Sequence, residues 1–146
     1  MAANDVDILL VEDNPNDVEL ALDALREAKI ANRIQVVGDG AEALDFIFRI
    51  GAYANRPNHQ PRLILLDLKL PKLSGLEVLA RIRADPLTEL IPVVVLTSSH
   101  EESDLVKSYR LHVNSYIVKP VDFDQFTTAV RQIGFYWLLL NEAPKP

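Results

Sequence analysis

Leu63-Ile64-Leu65-Leu66-Asp67-Leu68-Lys69-Leu70-Pro71 is an apolar run that ends in one carboxylate and then breaks at a proline. Consecutive apolar residues without helical spacing, followed by a turn signal, read as a strand buried on both faces, as in a parallel sheet covered by helices. Asp67 then stands at the carboxyl end of that strand. In open α/β sheets this end is where ligands bind, so Asp67 is the first candidate for a site residue.

Toward the N-terminus, Asp7-Ile8-Leu9-Leu10-Val11 is a second short apolar run, stopped by the acidic pair Glu12-Asp13. Asn14-Pro15-Asn16-Asp17 follows, with a capping side chain, a proline at the first helical position and an acid where the helix dipole favours it. Val18, Leu22 and Leu25, flanked by Leu20, Ala21 and Ala28, make the apolar stripe of a first helix. Ile34-Gln35-Val36-Val37 is a second strand closed by Gly38-Asp39-Gly40, and Ala41, Leu44, Ile47 and Phe48 carry a second helix. Gly51 to Arg62, with Asn55, Pro57, Asn58, His59 and Pro61, reads as a loop of about a dozen residues leading to the Asp67 strand.

Beyond Pro71, Ser74-Gly75-Leu76-Glu77 fits a capping box, and the helix it opens is expected to turn Leu76, Leu79, Ala80 and Ile82 inward before Asp85-Pro86 ends it. Ile91 to Thr97 is a fourth strand, and Glu101 to Leu111 a weaker fourth helix. Ser115-Tyr116-Ile117-Val118 is a fifth strand, stopped by Lys119-Pro120. Asp122 caps a last helix that buries Phe126, Ala129, Val130 and Ile133. Strand and helix alternate throughout, which predicts a parallel sheet with helices on both faces and right-handed crossovers.

A chain of 146 residues, 49% hydrophobic and 25% charged, suits one globular domain and excludes whole-chain disorder. The net charge of −6 disfavours nucleic acid and anionic membrane, which need clustered Lys and Arg. No cysteine is present, so thiolate metal sites and thiol nucleophiles are ruled out and a cytoplasmic location is expected. Met1 to Asp5 is neither basic nor apolar enough for a signal peptide, and no apolar run approaches the roughly 20 residues of a membrane span.

Parallel strands bring their carboxyl ends to one edge, which collects Glu12, Asp13, Asp67, Thr97 and Lys119. Taken singly, each has a structural reading as a cap, a turn residue or a backbone-satisfying hydroxyl. As an ordered set they describe a site. Gathered carboxylates repel one another unless a cation is present, and a hard divalent ion such as Mg²⁺ resolves that with one or two carboxylates, waters and phosphate oxygens. Asp67 then becomes a nucleophile toward a phosphoryl group, with Lys119 and Thr97 to meet the phosphoryl oxygens.

The residues so assembled resemble the response-regulator receiver domain, of CheY type, over nearly the whole chain. The resemblance implies a flavodoxin-like (βα)5 three-layer sandwich with a five-stranded parallel sheet in the order 2-1-3-4-5, an order that periodicity does not supply. It implies that Asp67 is the phospho-acceptor and that Glu12, Asp13, Asp67 and the main-chain carbonyl of Lys69 hold Mg²⁺ or Mn²⁺. Thr97 becomes the switch hydroxyl, Lys119 the phosphoryl contact, Tyr116 the aromatic switch and Pro120 a cis-proline. The long Gly51–Arg62 loop and the tail after Gly134 resemble those of the regulators that partner phytochromes. A sensor histidine kinase of the bacterial phytochrome type is therefore the expected partner.

Phe135-Tyr136-Trp137-Leu138-Leu139-Leu140 covers every helix face with apolar groups, so Phe135, Tyr136, Trp137 and Leu138 are expected to build a homodimer interface rather than core alone. The expected organisation is one receiver domain over 1–146 with a C-terminal extension from about 134 and no output domain, as an α/β fold. An Asp-nucleophile phosphatase needs a second acid two residues on, where Lys69 stands, and that rival fails. A receiver-fold binding module that phosphorylation does not control is the remaining alternative.

Overall fold

The computed structural model describes residues 6–28, 33–57 and 59–132. Its elements run β1 (Ile8–Val11), α1 (Pro15–Glu27), β2 (Ile34–Val37), α2 (Gly40–Phe48), a 3-10 turn (Gly51–Tyr53), β3 (Leu63–Asp67), α3 (Gly75–Ala84), β4 (Val93–Thr97), α4 (His100–Ser108), β5 (Ser115–Val118) and α5 (Phe123–Arg131). All the strand pairings are parallel and the order is β2-β1-β3-β4-β5, the flavodoxin-like arrangement. The expected Ile133 and the apolar tail 135–140 lie outside the described residues.

Side chains alternate across a strand, so every apolar run in the sheet feeds two cores. Ile8, Leu10, Leu63, Leu65, Val94, Leu96 and Ile117 pack with α1 and α5 on one face. Leu9, Val11, Ile64, Leu66, Val93 and Val95 pack with α2, α3 and α4 on the other. All of β3 is buried, Asp67 included. Each buried aliphatic side chain contributes about 1.5–3 kcal/mol, and the register this fixes carries every strand tip to the same edge.

Helix faces differ in detail from the expectation. In α1 the buried stripe is Ala21, Ala24 and Leu25, while Leu20 is 40% exposed. Small side chains let the helix approach the sheet, and the larger Val18 and Leu22 pack at its margins. In α3 Ala80 is exposed and Val78 takes its place beside Leu79 and Ile82. The capping box is half formed: the Ser74 hydroxyl accepts the Glu77 N–H at 3.3 Å, while the Glu77 carboxylate meets that hydroxyl at 3.5 Å. β4 begins at Val93 rather than Ile91, because Pro92 has no N–H for the ladder.

The stretch from Gly51 is a clamp rather than a free loop. Arg56 donates to the carbonyls of Phe46 (2.8 Å), His59 (2.7 Å) and Ile47 (3.5 Å), and its guanidinium lies 4.1 Å from the centre of the Phe46 ring. The bonds to Phe46 and Ile47 fall on carbonyls of the last turn of α2, where Phe46 also accepts the Arg49 N–H at 3.4 Å and Ile47 the Gln60 side-chain amide at 3.0 Å. The Tyr53 hydroxyl donates to Glu42 Oε2 at 2.7 Å, and its ring meets Phe46 edge-on at 5.1 Å.

Candidate functional site

The tip of β1 turns sharply. The Glu12 N–H still donates to Val37 (3.0 Å), which keeps this residue in the sheet, and the Glu12 carboxylate accepts the Asn14 N–H at 3.1 Å. Asn14 in turn takes the N–H groups of Asn16 (2.9 Å) and Asp17 (3.1 Å), starting α1. At the tip of β3 the Lys69 N–H reaches back to Asp67 Oδ1 at 3.4 Å. Gly75 makes room there. A Cβ on it would lie 2.2 Å from the Asp67 carbonyl oxygen, so only glycine lets α3 start against the tip of β3.

These turns converge on one ammonium. Lys119 Nζ stands 2.7 Å from Glu12 Oε1, 3.2 Å from Asp67 Oδ2 and 3.2 Å from Asp17 Oδ2. Its backbone N–H donates to the Thr97 carbonyl at 2.8 Å, which holds the tips of β4 and β5 together, and the Lys119–Pro120 peptide is cis. Glu12, Asp13 and Asp67 each offer a carboxylate oxygen within 4.8 Å of the others.

Burial pushes Glu12 up to about 7, against the bonds from Lys119 and the Asn14 N–H, and the Asp67 charge adds to the rise. Burial also works against the Lys119 charge, but the bond to Glu12 and the charges of Asp67 and Glu12 outweigh it and raise its pKa. One positive charge thus serves a cluster of acids. The donor set is hard oxygen throughout, which fits Mg²⁺ or Mn²⁺ and not a soft metal.

Thr97 is fully buried, and among the described residues its hydroxyl has no hydrogen-bond partner. A hydroxyl at this place is a rotatable donor that can meet an oxygen brought to the rim. Tyr116 is half-buried on β5 with Lys107 Nζ 5.1 Å from its ring centre. Phe135 to Leu138 lie outside the described residues.

Two participants escaped the sequence reading. Asp17 appears there only as a first-turn acid, yet it shares Lys119 from 102 positions away. Glu102, in the first turn of α4, accepts the Ser98 N–H at 2.7 Å and pairs with Lys69 Nζ at 3.0 Å. A carboxylate in the first helical turn just after a strand tip is the signal that flags both.

The family model for the response regulator receiver domain matches residues 8–131. The response regulator Rcp1 of Synechocystis sp. is 44% identical over 131 residues, covering 90% of this chain and 88% of that protein. A structure of the Mn²⁺-bound form of Rcp1 superposes with a TM-score of 0.72 at 42% identity, over 95% of this chain and 97% of that one. The bacteriophytochrome response regulator RtBRR superposes at 0.88 with 55% identity, over 94% of this chain and 82% of that one. The phosphorylated cyanobacterial phytochrome response regulator RcpA does so at 0.73 with 45% identity, over 92% and 94%. A matched model over most of the chain, a parallel 2-1-3-4-5 sheet and an acidic rim around one lysine converge: the chain belongs to the response regulator receiver domain family, and its relatives include phytochrome response regulators.

Proposed function

We propose that the chain is a phosphorylation-controlled switch whose Asp67 accepts a phosphoryl group from the phosphohistidine of a sensor histidine kinase. One Asp67 carboxylate oxygen attacks phosphorus, the phosphorus–nitrogen bond breaks, and the imidazole leaves with the electron pair and takes a proton. Glu12, Asp13, Asp67 and the Lys69 carbonyl are the groups to hold Mg²⁺ or Mn²⁺, and the related Rcp1 has a Mn²⁺-bound form. When bound, it neutralises charge on the transferring group.

Lys119 pairs with a phosphoryl oxygen, and the Thr97 hydroxyl turns to donate to another. Tyr116 follows into the space that Thr97 leaves. The phosphoryl group adds about −1.5 to −2 charge at neutral pH, so the face of α4, β5 and α5 changes its affinity for partners. Autodephosphorylation by water returns the switch to its resting state.

The observation that carries this reading is the acceptor geometry: the buried Asp67 carboxylate 3.2 Å from Lys119, within ligand range of Glu12 and Asp13. Phytochrome response regulators among the relatives support a phytochrome-type kinase as the donor. The reading includes a cytoplasmic location, one receiver domain that acts by protein contact, and a homodimer through Phe135, Tyr136, Trp137 and Leu138. No helix among the described residues is long and apolar enough to cross a membrane.

Incubation with Mg²⁺ and a small phosphodonor, followed by intact mass, tests the reading. Wild type gains one phosphoryl group and Asp67→Asn gains none. An unlabelled wild type, under conditions that label a control receiver, would favour a binding module outside phosphorylation control, and steady turnover of many phosphoesters would favour a phosphatase.

A further inference from the structure

Lys119 lies on the acids that a divalent ion requires. Its ammonium is 2.7 Å from Glu12 and 3.2 Å from Asp67, both members of the three-acid group. A cation entering between Glu12, Asp13 and Asp67 meets that ammonium as a like charge. Metal and lysine therefore compete for the same oxygens unless the lysine has somewhere else to rest.

Asp17 provides that place. It stands 3.2 Å from the same Nζ and lies outside the three-acid group. Its side chain is 25% exposed, against 0% for Glu12 and 4% for Asp67, so it is the wet end of the lysine's reach. Moving the ammonium toward it costs less desolvation than holding it deeper in the rim. Asp17 is also fixed in place, because its N–H is held by the Asn14 cap at 3.1 Å in the first turn of α1.

We propose that Asp17 is a positioning residue that parks the Lys119 ammonium when a divalent ion occupies Glu12, Asp13 and Asp67, and so sets the affinity of the site for that ion. The inference rests on the metal set named under the proposed function. Asp17 acts through Lys119 and does not touch the ion. By linkage, the Asp17–Lys119 pair helps the ion only by as much as that pair is stronger with the ion bound than without it, and this difference is what loss of Asp17 removes.

The test is calorimetric titration of the metal-free full chain with Mn²⁺ alone, in wild type, Asp17→Asn, Lys119→Met and the double variant. Asp17→Asn raises Kd about fivefold, Lys119→Met lowers it, and Asp17→Asn in the Lys119→Met background changes it by less than about twofold. Asp17→Glu restores part of the loss. Equal weakening in both backgrounds would mean that the Asp17 charge acts directly on the ion, and no weakening in either would mean that it is a helix-start residue only; both overturn the proposal alone. A wild type that binds no Mn²⁺ overturns the proposal together with the metal set beneath it. Circular dichroism melts of each variant check folding, and if Asp17→Asn fails to fold, Asp17→Ser carries the same cycle.

Discussion

The clamp over α2 and the rim around Asp67 are both polar, and they treat polarity in opposite ways. In the clamp, Arg56 fills carbonyls at the end of a helix and rests on a ring, and the Tyr53 hydroxyl has its carboxylate at 2.7 Å. In the rim, one ammonium serves Glu12, Asp67 and Asp17 at once, Asp13 adds a further acid, and the buried Thr97 hydroxyl has no hydrogen-bond partner among the described residues. The contacts of Arg56 and Tyr53 pair each charged or hydroxyl group with a neighbour inside the same stretch or on α2. The rim instead gathers three carboxylates, one shared ammonium and a hydroxyl donor at a single strand edge, the combination of groups that a charged ligand uses.

If this contrast is right, the largest effect falls on Lys119. Without divalent ions, Lys119→Met leaves buried Glu12 and Asp67 without their cation and lowers stability by about 3 kcal/mol, and added Mg²⁺ recovers much of it. Urea denaturation with and without Mg²⁺ measures this. An unchanged midpoint would mean that the lysine compensates nothing. In the clamp, Arg56→Ala loses its carbonyl bonds and ring contact and costs about 2 kcal/mol, with Mg²⁺ making no difference. A response to Mg²⁺ there would erase the distinction between the two regions.

Thr97→Val sharpens the contrast by its sign. Removing an unsatisfied buried hydroxyl leaves stability unchanged or raises it by about 1 kcal/mol, whereas removing a satisfied one lowers it. A loss at Thr97 would show that its hydroxyl is bonded in the resting state. Tyr53→Phe, in the clamp, is of the opposite sign, about 1 kcal/mol of loss at neutral pH.

Tyr53 also carries a pH signature. Its hydroxyl is pushed from an ordinary 10.0 up to about 12, by burial first and then by the bond to Glu42 and its charge. The folded chain keeps that proton where the unfolded chain loses it, so the contribution is fully present below pH 10 and lost as pH rises through about 12. Across that window wild type loses more stability than Tyr53→Phe, and parallel losses would contradict the assignment.

The strands could be read because each is short, apolar and stopped by a polar or breaking residue, as at Val11-Glu12, Leu66-Asp67 and Val118-Lys119. Their order could not, since alternation within a strand says nothing of its neighbours, and it came from the family resemblance. Helix faces were read by counting large apolar residues. That count put Ala80 inward where Val78 is buried, and favoured Val18 and Leu22 over the small Ala21 and Ala24 that let α1 lie close to the sheet. Of the rim, the strand-tip residues were visible one by one. Asp17 and Glu102 were not, because their roles depend on partners distant in sequence, Lys119 for one and Lys69 for the other.

The central claim is that the rim makes Asp67 a phosphoryl acceptor, and borohydride reduction tests it most directly. Protein treated with a phosphodonor and Mg²⁺ is reduced, which converts an aspartyl phosphate to homoserine, and its peptides are sequenced by mass spectrometry. The account predicts homoserine at position 67 and nowhere else, and none when Mg²⁺ is chelated; conversion at another acid, or equal conversion without the ion, would contradict it.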